Sequence, residues 1–247
     1  MVILIDIGNS NIVLSQYDNN TLSETYRYTT DKSKTTDEYY VILKPVIEQA
    51  TYAVISSVVP ELNEIFKSLF EKYYDFTPMF ISPGIKTGVK IKVDNPKEVG
   101  ADLVSAAAGA LDTFGDNVIV VDMGTATTLT LIKNRVITGV AIMSGLVSQR
   151  DCLVGGASQL SQFEFKTPRS VLATNTIDCL NAGILFGHIT MLEGMIKRVK
   201  EEYKIDAPVV ITGGASRFIE SILPSDFHLE PELILHGLIK IYQKNKA

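Results

Sequence analysis

The chain has 247 residues, 46% of them hydrophobic and 21% charged, which is enough apolar material for a sizeable core and is not a disordered composition. Its 28 acidic and 23 basic residues leave a formal net charge of −5, so no general attraction draws it to nucleic acid or an anionic membrane. Cys152, Cys179, His188, His228 and His236 are too few for a disulfide framework or a Cys/His zinc centre.

The opening run Met1 to Asp6 has no basic lead and carries an acid within its apolar stretch. It reads as a buried strand and not a secretion signal. No stretch of about 20 apolar residues escapes a charged or polar break, which argues against a membrane span and for a cytoplasmic protein. Asn11 to Tyr17 is the expected hairpin partner, joined through Ile7-Gly8-Asn9-Ser10, where Gly and Asn suit tight turns with positive φ. Ala53 to Ser57 is a further strand. Glu61 to Tyr74 repeats apolar residues at the i, i+3, i+4, i+7 spacing of an amphipathic helix. Ala101 to Leu111 reads as a helix opened by Asp102.

Strands are expected again at Val118 to Val121, Thr127 to Ile132 and Val136 to Ile142, with turns at Met123 to Ala126 and Lys133-Asn134. Helices follow near Ile177 to Phe186 and His188 to Glu202, then a strand at Val209 to Thr212, the pair Gly213-Gly214, a short helix, and a closing helix from Pro231 to Lys244.

Asp6-Ile-Gly-Asn-Ser-Asn11 overlays Asp122-Met-Gly-Thr-Ala-Thr127 at an offset of 116 residues. Each copy has an apolar strand, then Asp-x-Gly, then small hydroxyl or amide residues. An internal repeat of nearly half the chain implies two lobes of similar α/β construction facing each other, 1–114 and 115–247. The boundary falls near Thr113 to Asn117, and no Pro/Ser-rich linker marks it.

The chemistry lies in the hairpin tips. A strand ending in Asp-x-Gly sets a carboxylate beside backbone NH groups that no bulky side chain covers, and such NH groups form an anion nest. The carboxylate can hold Mg²⁺ against the same phosphate. One copy alone is ordinary turn chemistry; the symmetric pair points to a polyphosphate. Val209 to Ser216 adds a strand running into a glycine pair, which lets a flat adenine lie against backbone.

In this order the three elements resemble the phosphate-1, phosphate-2 and adenosine motifs of the acetate/sugar kinase, Hsp70 and actin superfamily. The chain is most similar to type III pantothenate kinases. The matching runs are Asp6-Ile-Gly-Asn-Ser, Asn95-Pro-Lys-Glu-Val-Gly-Ala-Asp102, Asp122-Met-Gly-Thr-Ala-Thr-Thr128, Asn175-Thr176 and Thr212-Gly-Gly-Ala215, in the family's order. The resemblance implies two actin-like (ribonuclease H-like) lobes, each a mixed sheet with flanking helices, and an active site in the cleft between them. It also implies ATP-dependent phosphorylation of pantothenate and a homodimer that completes the pantothenate pocket.

Asp102 matches the carboxylate held to be the family's base. Residues 6 to 13 (Asp6, Ile7, Gly8, Asn9, Ser10, Asn11, Ile12 and Val13) would wrap the phosphates, with Asp6 holding Mg²⁺ and Thr125 a further ATP contact. Asp122 matches the ligand of a monovalent cation, K⁺ or ammonium. Val93, Gly100, Ala101, Asp102, Leu103 and Thr176 fall at the acceptor positions, although Thr176 also suits a helix N-cap.

The departures from the family pattern fall on the acceptor side. Leu103 stands where the family has an arginine for the pantothenate carboxylate, Val93 where many members have an aromatic residue, and Thr130 where a second acid is usual. Gly139 to Gly145 and Ala157 to Ser161 also differ from the usual runs. A charge-assisted contact is worth about 1.5–3 kcal/mol, so losing the arginine weakens binding roughly 10- to 100-fold unless another cation, Arg150 or Lys97, replaces it. Two alternatives follow: a kinase for another small alcohol, or a nucleotide-binding homologue with little turnover. Cys152 and Cys179 read as small buried or half-buried residues, and His188 as a packed residue on an apolar helix.

Overall fold

The computed structural model describes residues 1–156, 160 and 162–246, and they form two compact units. The first is Met1–Thr113 together with the C-terminal segment that begins at Leu233; the second is Phe114–Glu232. The closing helix, Leu233–Asn245, therefore packs with the first unit, where a single cut after residue 114 assigns it to the second.

The first unit is built on β1 (Val2–Ile7), which pairs antiparallel with β2 (Asn11–Asp18) and parallel with β5 (Tyr52–Ser57). Its run Ile3, Leu4, Ile5 is fully buried, as a strand covered on both faces requires. Two short strands, β3 (Thr21–Leu22) and β4 (Tyr26–Thr29), extend the sheet beside β2, and β6 (Met79–Phe80) pairs with β5. Between β4 and β5 lies α1 (Thr36–Ile47), started by a capping box in which Thr35 and Glu38 satisfy each other's backbone NH. The following helix, α2 (Pro60–Tyr74), opens on proline and stops at Asp75 in the left-handed conformation. Tyr40 of α1 and Tyr73 of α2 stack with centroids 3.6 Å apart. A short strand, β7 (Lys90–Ile91), precedes α3 (Ala101–Phe114).

The alanine-rich α3 and the C-terminal helix cross at glycines. A Cβ on Gly237 would fall on the Ser105 carbonyl oxygen, and one on Gly109 would fall on that of Leu233. Small residues at a crossing let two backbones approach, and this contact fixes the axis of the helix that carries Asp102.

In the second unit the strand order is β12 (Phe227–Leu229), β11 (Val209–Thr212), β8 (Val118–Met123), β9 (Ala126–Lys133), β10 (Val136–Ser144). Strands β8, β11 and β12 run parallel, β9 runs antiparallel to β8, and β10 runs antiparallel to β9. The turn between β9 and β10 has positive φ at both Asn134 and Arg135, the geometry of a tight hairpin turn. Helix α4 (Leu146–Gly156) was not legible in the residues, since it has little apolar periodicity and buries only Leu146.

Helix α5 is one continuous element, Thr176–Tyr203, where two were expected about Gly187. That glycine breaks nothing: it lies mid-helix with open space about its α-carbon, where the lost propensity is about 1 kcal/mol. By length and composition α5 could cross a membrane, but Ile184, Leu185, Ile189, Leu192 and Ile196 pack into the core of the unit beside Ile119, Val121 and Ile211. Cys152 and Cys179 are both exposed, contrary to expectation, because they sit on the outer faces of α4 and α5.

Candidate active site

Asp6 lies in β1, facing Val13 of β2 and Ser56 of β5, and its Oδ1 accepts the Ser56 hydroxyl at 3.0 Å. The strand then turns at Gly8, whose NH donates to Asn11 O at 2.9 Å. Thr30 fixes this tip twice: its NH donates to Ser10 O at 3.0 Å and its hydroxyl to Gly8 O at 2.6 Å. Asn9 and Ser10 project to solvent. Ile7 and Ile12 are fully buried in the core of the unit, so only their main chain is available to a ligand; Val13 is half-buried.

Asp102 stands in the first turn of α3, half-buried, and its Oδ1 accepts the Leu103 NH at 2.7 Å. Gly100 lies so close beneath that a Cβ there would meet Oδ1. Burial pushes the Asp102 carboxyl above the ordinary carboxylate range, while the Leu103 NH and its own NH pull it back. Ala101 and Leu103, its chain neighbours, are half-buried, and Val93 is half-buried as well. Lys97 is exposed.

In the second unit Asp122 lies across from Thr128 of β9 and beside Thr212 of β11. Gly124 NH donates to Ala126 O at 3.0 Å, closing a tip with Thr125 exposed at its end. Two other glycines press on this hairpin. A Cβ on Gly145 would fall on the carbonyl oxygens of Gly124 and Thr125, and one on Gly213 would fall on Asp122 Oδ1 and the Met123 backbone. Gly213 alone of the site glycines has positive φ, +89°; Gly8 and Asn9 do not, so the left-handed turn expected at the first tip is absent. The Ala215 NH donates to Met123 O at 2.9 Å, joining the glycine pair to the hairpin.

Thr176 is the first residue of α5, and the cap is Asn175, whose Oδ1 accepts the Asp178 NH at 3.0 Å. The Thr176 side chain is thereby left exposed. Arg150 is not a spare cation: it pairs with Asp151 at 2.9 Å and lies over the Phe165 ring at 5.4 Å. The altered run Ala157 to Ser161 lies, apart from Leu160, outside the described residues.

The overlay of the two hairpins needs one amendment. Asp6 pairs with Val13 but Asp122 pairs with Thr128, so the offset is 116 on the outgoing strand and one residue less on the return. The second tip is one residue shorter. Sequence reasoning also missed Ser56, Thr30, Gly145 and Ser148, whose hydroxyl donates to Thr125 O at 3.0 Å. All four lie outside the Asp-x-Gly runs, and nothing local in the sequence ties them to those tips.

A model of the type III pantothenate kinase family matches residues 2–198. The chain is 42% identical over 247 residues to the type III pantothenate kinase of Acholeplasma laidlawii, with 99% of each chain covered. Among solved structures it resembles a Campylobacter jejuni protein described as a Baf family transcriptional activator, with a TM-score of 0.65, 19% identity and 98% of each chain covered. It also resembles MreB 5 of Spiroplasma citri, with a TM-score of 0.52, 10% identity and 98% and 96% of the two chains covered. At such identities the structural likenesses speak for the actin-like α/β fold alone. The sequence likeness reaches further, because it covers 99% of both chains at 42% identity: the chain belongs to the type III pantothenate kinase family and is a kinase.

Proposed function

We propose that this kinase transfers the γ-phosphoryl group of ATP to the hydroxyl of pantothenate, yielding 4'-phosphopantothenate on the route to coenzyme A. The observation that carries the reading is the full-length identity to a type III pantothenate kinase together with an Asp102 carboxylate whose environment suits a base. Phosphoryl transfer passes through a loose transition state, so the protein's work is positioning and charge neutralisation. Asp102 orients the acceptor hydroxyl and takes its proton late. The raised pKa brings this carboxyl nearer the working pH, which strengthens it as a base.

The tip at residues 8 to 11 offers backbone NH groups and small side chains to the phosphates. Asp6 is the proposed Mg²⁺ ligand. Among the described residues no group of three His, Cys, Asp or Glu side chains could hold a metal. A lone carboxylate fits an ion that takes its remaining ligands from phosphates and water, as Mg²⁺ does. Bound there, the ion neutralises phosphate charge. Asp122, with Thr128 and Thr212 at the paired positions of β9 and β11, offers a carboxylate oxygen of the kind that suits K⁺ or ammonium.

Thr125 is assigned to ATP, and Val93, Gly100, Ala101, Leu103 and Thr176 to the acceptor. A homodimer is the proposed assembly. Ile142, Val147, Leu153, Val171, Leu172 and Ile177 are large apolar side chains left exposed, all in the second unit. A second copy would cover them, and the mass in solution tests this. The proposed location is the cytoplasm, and neither nucleic acid nor membrane is a proposed partner.

A second reading, a nucleotide-binding homologue with little turnover, is favoured by Leu103, which offers no charge to a carboxylate, and by the commitment of Arg150. One experiment separates the two: ADP release with ATP, Mg²⁺, K⁺ and pantothenate, run beside Asp102→Asn. Pantothenate-dependent turnover lost in the variant supports the kinase reaction. Nucleotide binding without turnover at millimolar pantothenate overturns it.

A further inference from the structure

We infer that His188 is a positioning residue for the second phosphate hairpin, acting through Gln149 and Thr127 with its proton held on Nε2. The inference rests on the proposed ATP role of Thr125. His188 lies in the middle of α5, 2% exposed, twelve residues along the chain from Thr176. Both ring nitrogens have partners: Nδ1 meets Gln149 Nε2 at 2.9 Å and Nε2 meets Thr127 Oγ1 at 3.1 Å.

The direction of each hydrogen bond follows from one carbonyl. Gln149 Nε2 also lies 3.0 Å from Ser144 O, which can only accept, so this end of the amide is the NH₂ group. Nδ1 then accepts from Gln149, the ring proton sits on Nε2, and it is donated to Thr127 Oγ1. A neutral ring is required for this order, and burial supplies it by lowering the His188 pKa to about 4.

The two partners reach the hairpin through different elements. Thr127 is the first residue of β9 to pair with β8, facing Met123 just before the Gly124-Thr125 tip. Gln149 lies in the first turn of α4, whose backbone NH donates to Gly145 O at 2.9 Å, and Gly145 is the residue pressed onto Gly124 and Thr125. Its neighbour Ser148 bonds Thr125 O directly. The imidazole therefore ties α5 to β9 and to α4, the two elements that hold the tip, and losing it frees the tip without removing any group proposed to touch ATP. A residue that merely filled space would be replaced by phenylalanine with little consequence for nucleotide.

The test compares His188→Phe, His188→Gln and Gln149→Glu with the parent enzyme. His188→Phe is expected to raise KM for ATP about tenfold, the scale of two lost neutral hydrogen bonds, with KM for pantothenate unchanged. His188→Gln keeps a donor and an acceptor and is expected to recover most of that loss. An unaltered KM for ATP in a folded His188→Phe variant overturns the inference. Imidazole ¹⁵N shifts give a readout independent of turnover: the parent should show a neutral Nε2–H ring from pH 6 to 8, and Gln149→Glu should move the proton onto Nδ1. A parent ring protonated on Nδ1, or titrating near pH 6.5, also overturns it. Failure of the parent to bind ATP would instead sink the proposed function, while the ring tautomer still tests the hydrogen-bond order.

Discussion

Gly213 lies directly against the Asp122 carboxylate, with a φ of +89° and no room for a Cβ between its α-carbon and Asp122 Oδ1. Gly213 thus has two duties, a left-handed backbone and a close approach to the hairpin of Asp122. Gly213→Ala is expected to displace Asp122, lower stability by about 1–3 kcal/mol and raise KM for ATP at least tenfold. Gly194→Ala is the control, because that glycine sits in α5 with open space about it; this change should stabilise by about 0.5–1 kcal/mol and leave kinetics alone. Thermal unfolding and ATP saturation curves check both.

Much of this site could be read in the residues, and the reasons are local. An apolar strand followed by Asp-x-Gly announces both its hairpin and its carboxylate, and the β1 and β8 tips lie where those runs stand. What joins distant segments could not be read. Ser56 reaches Asp6 across 50 residues and Gly145 closes on Thr125 across 20, and neither carries a motif of its own. The one-residue difference between the two tips was hidden because small polar residues fill both, so the overlay looks continuous where the register slips. A glycine mid-run looks like a helix end in sequence, yet the apolar face of α5 continues through Gly187. Chain order alone gives no sign of the close crossing of Gly237 on Ser105, which sets the C-terminal helix in the first unit.

The proposed acceptor residues carry a prediction about charge. If Leu103 is the position from which an arginine would meet the pantothenate carboxylate, Leu103→Arg should tighten pantothenate binding. A charge-assisted contact of about 1.5–3 kcal/mol corresponds to roughly 10- to 100-fold in Kd. Calorimetric titration of pantothenate into the protein with a non-hydrolysable ATP analogue measures it. No gain in affinity would mean that the carboxylate is held elsewhere or that the acceptor has none.

The Gly237–Ser105 crossing predicts a change that acts on catalysis only through the fold. Gly237→Ala forces a Cβ onto a backbone carbonyl that cannot swing aside, so the C-terminal helix must back away from α3. Overpacking of this kind costs about 1–3 kcal/mol. Denaturant unfolding should show the loss. Turnover of the protein that remains folded should fall as well, because α3 carries Asp102 in its first turn. A full-strength enzyme with unchanged stability would show that the crossing is not what holds α3 in place.

With Asp102 as the proposed base, its titration governs the expected pH behaviour. Burial raises its pKa, so the ionised form that accepts a proton is lost at a higher pH than for an ordinary carboxylate. The acid limb of kcat/KM is therefore expected above the ordinary aspartate value of about 4. The same shift has a sign for stability. Folding disfavours the charged carboxyl, so this group destabilises the native state at neutral pH. That penalty fades as pH falls through the raised folded pKa and is gone below the unfolded value. Asp102→Asn should consequently be inactive yet at least as stable as the parent at pH 7, with the two stabilities converging in acid. Unfolding curves across pH, taken beside the rate profile, decide it. A variant that is less stable at pH 7 would mean that the carboxylate is there to cap α3, and the case for Asp102 as the base would fall with it.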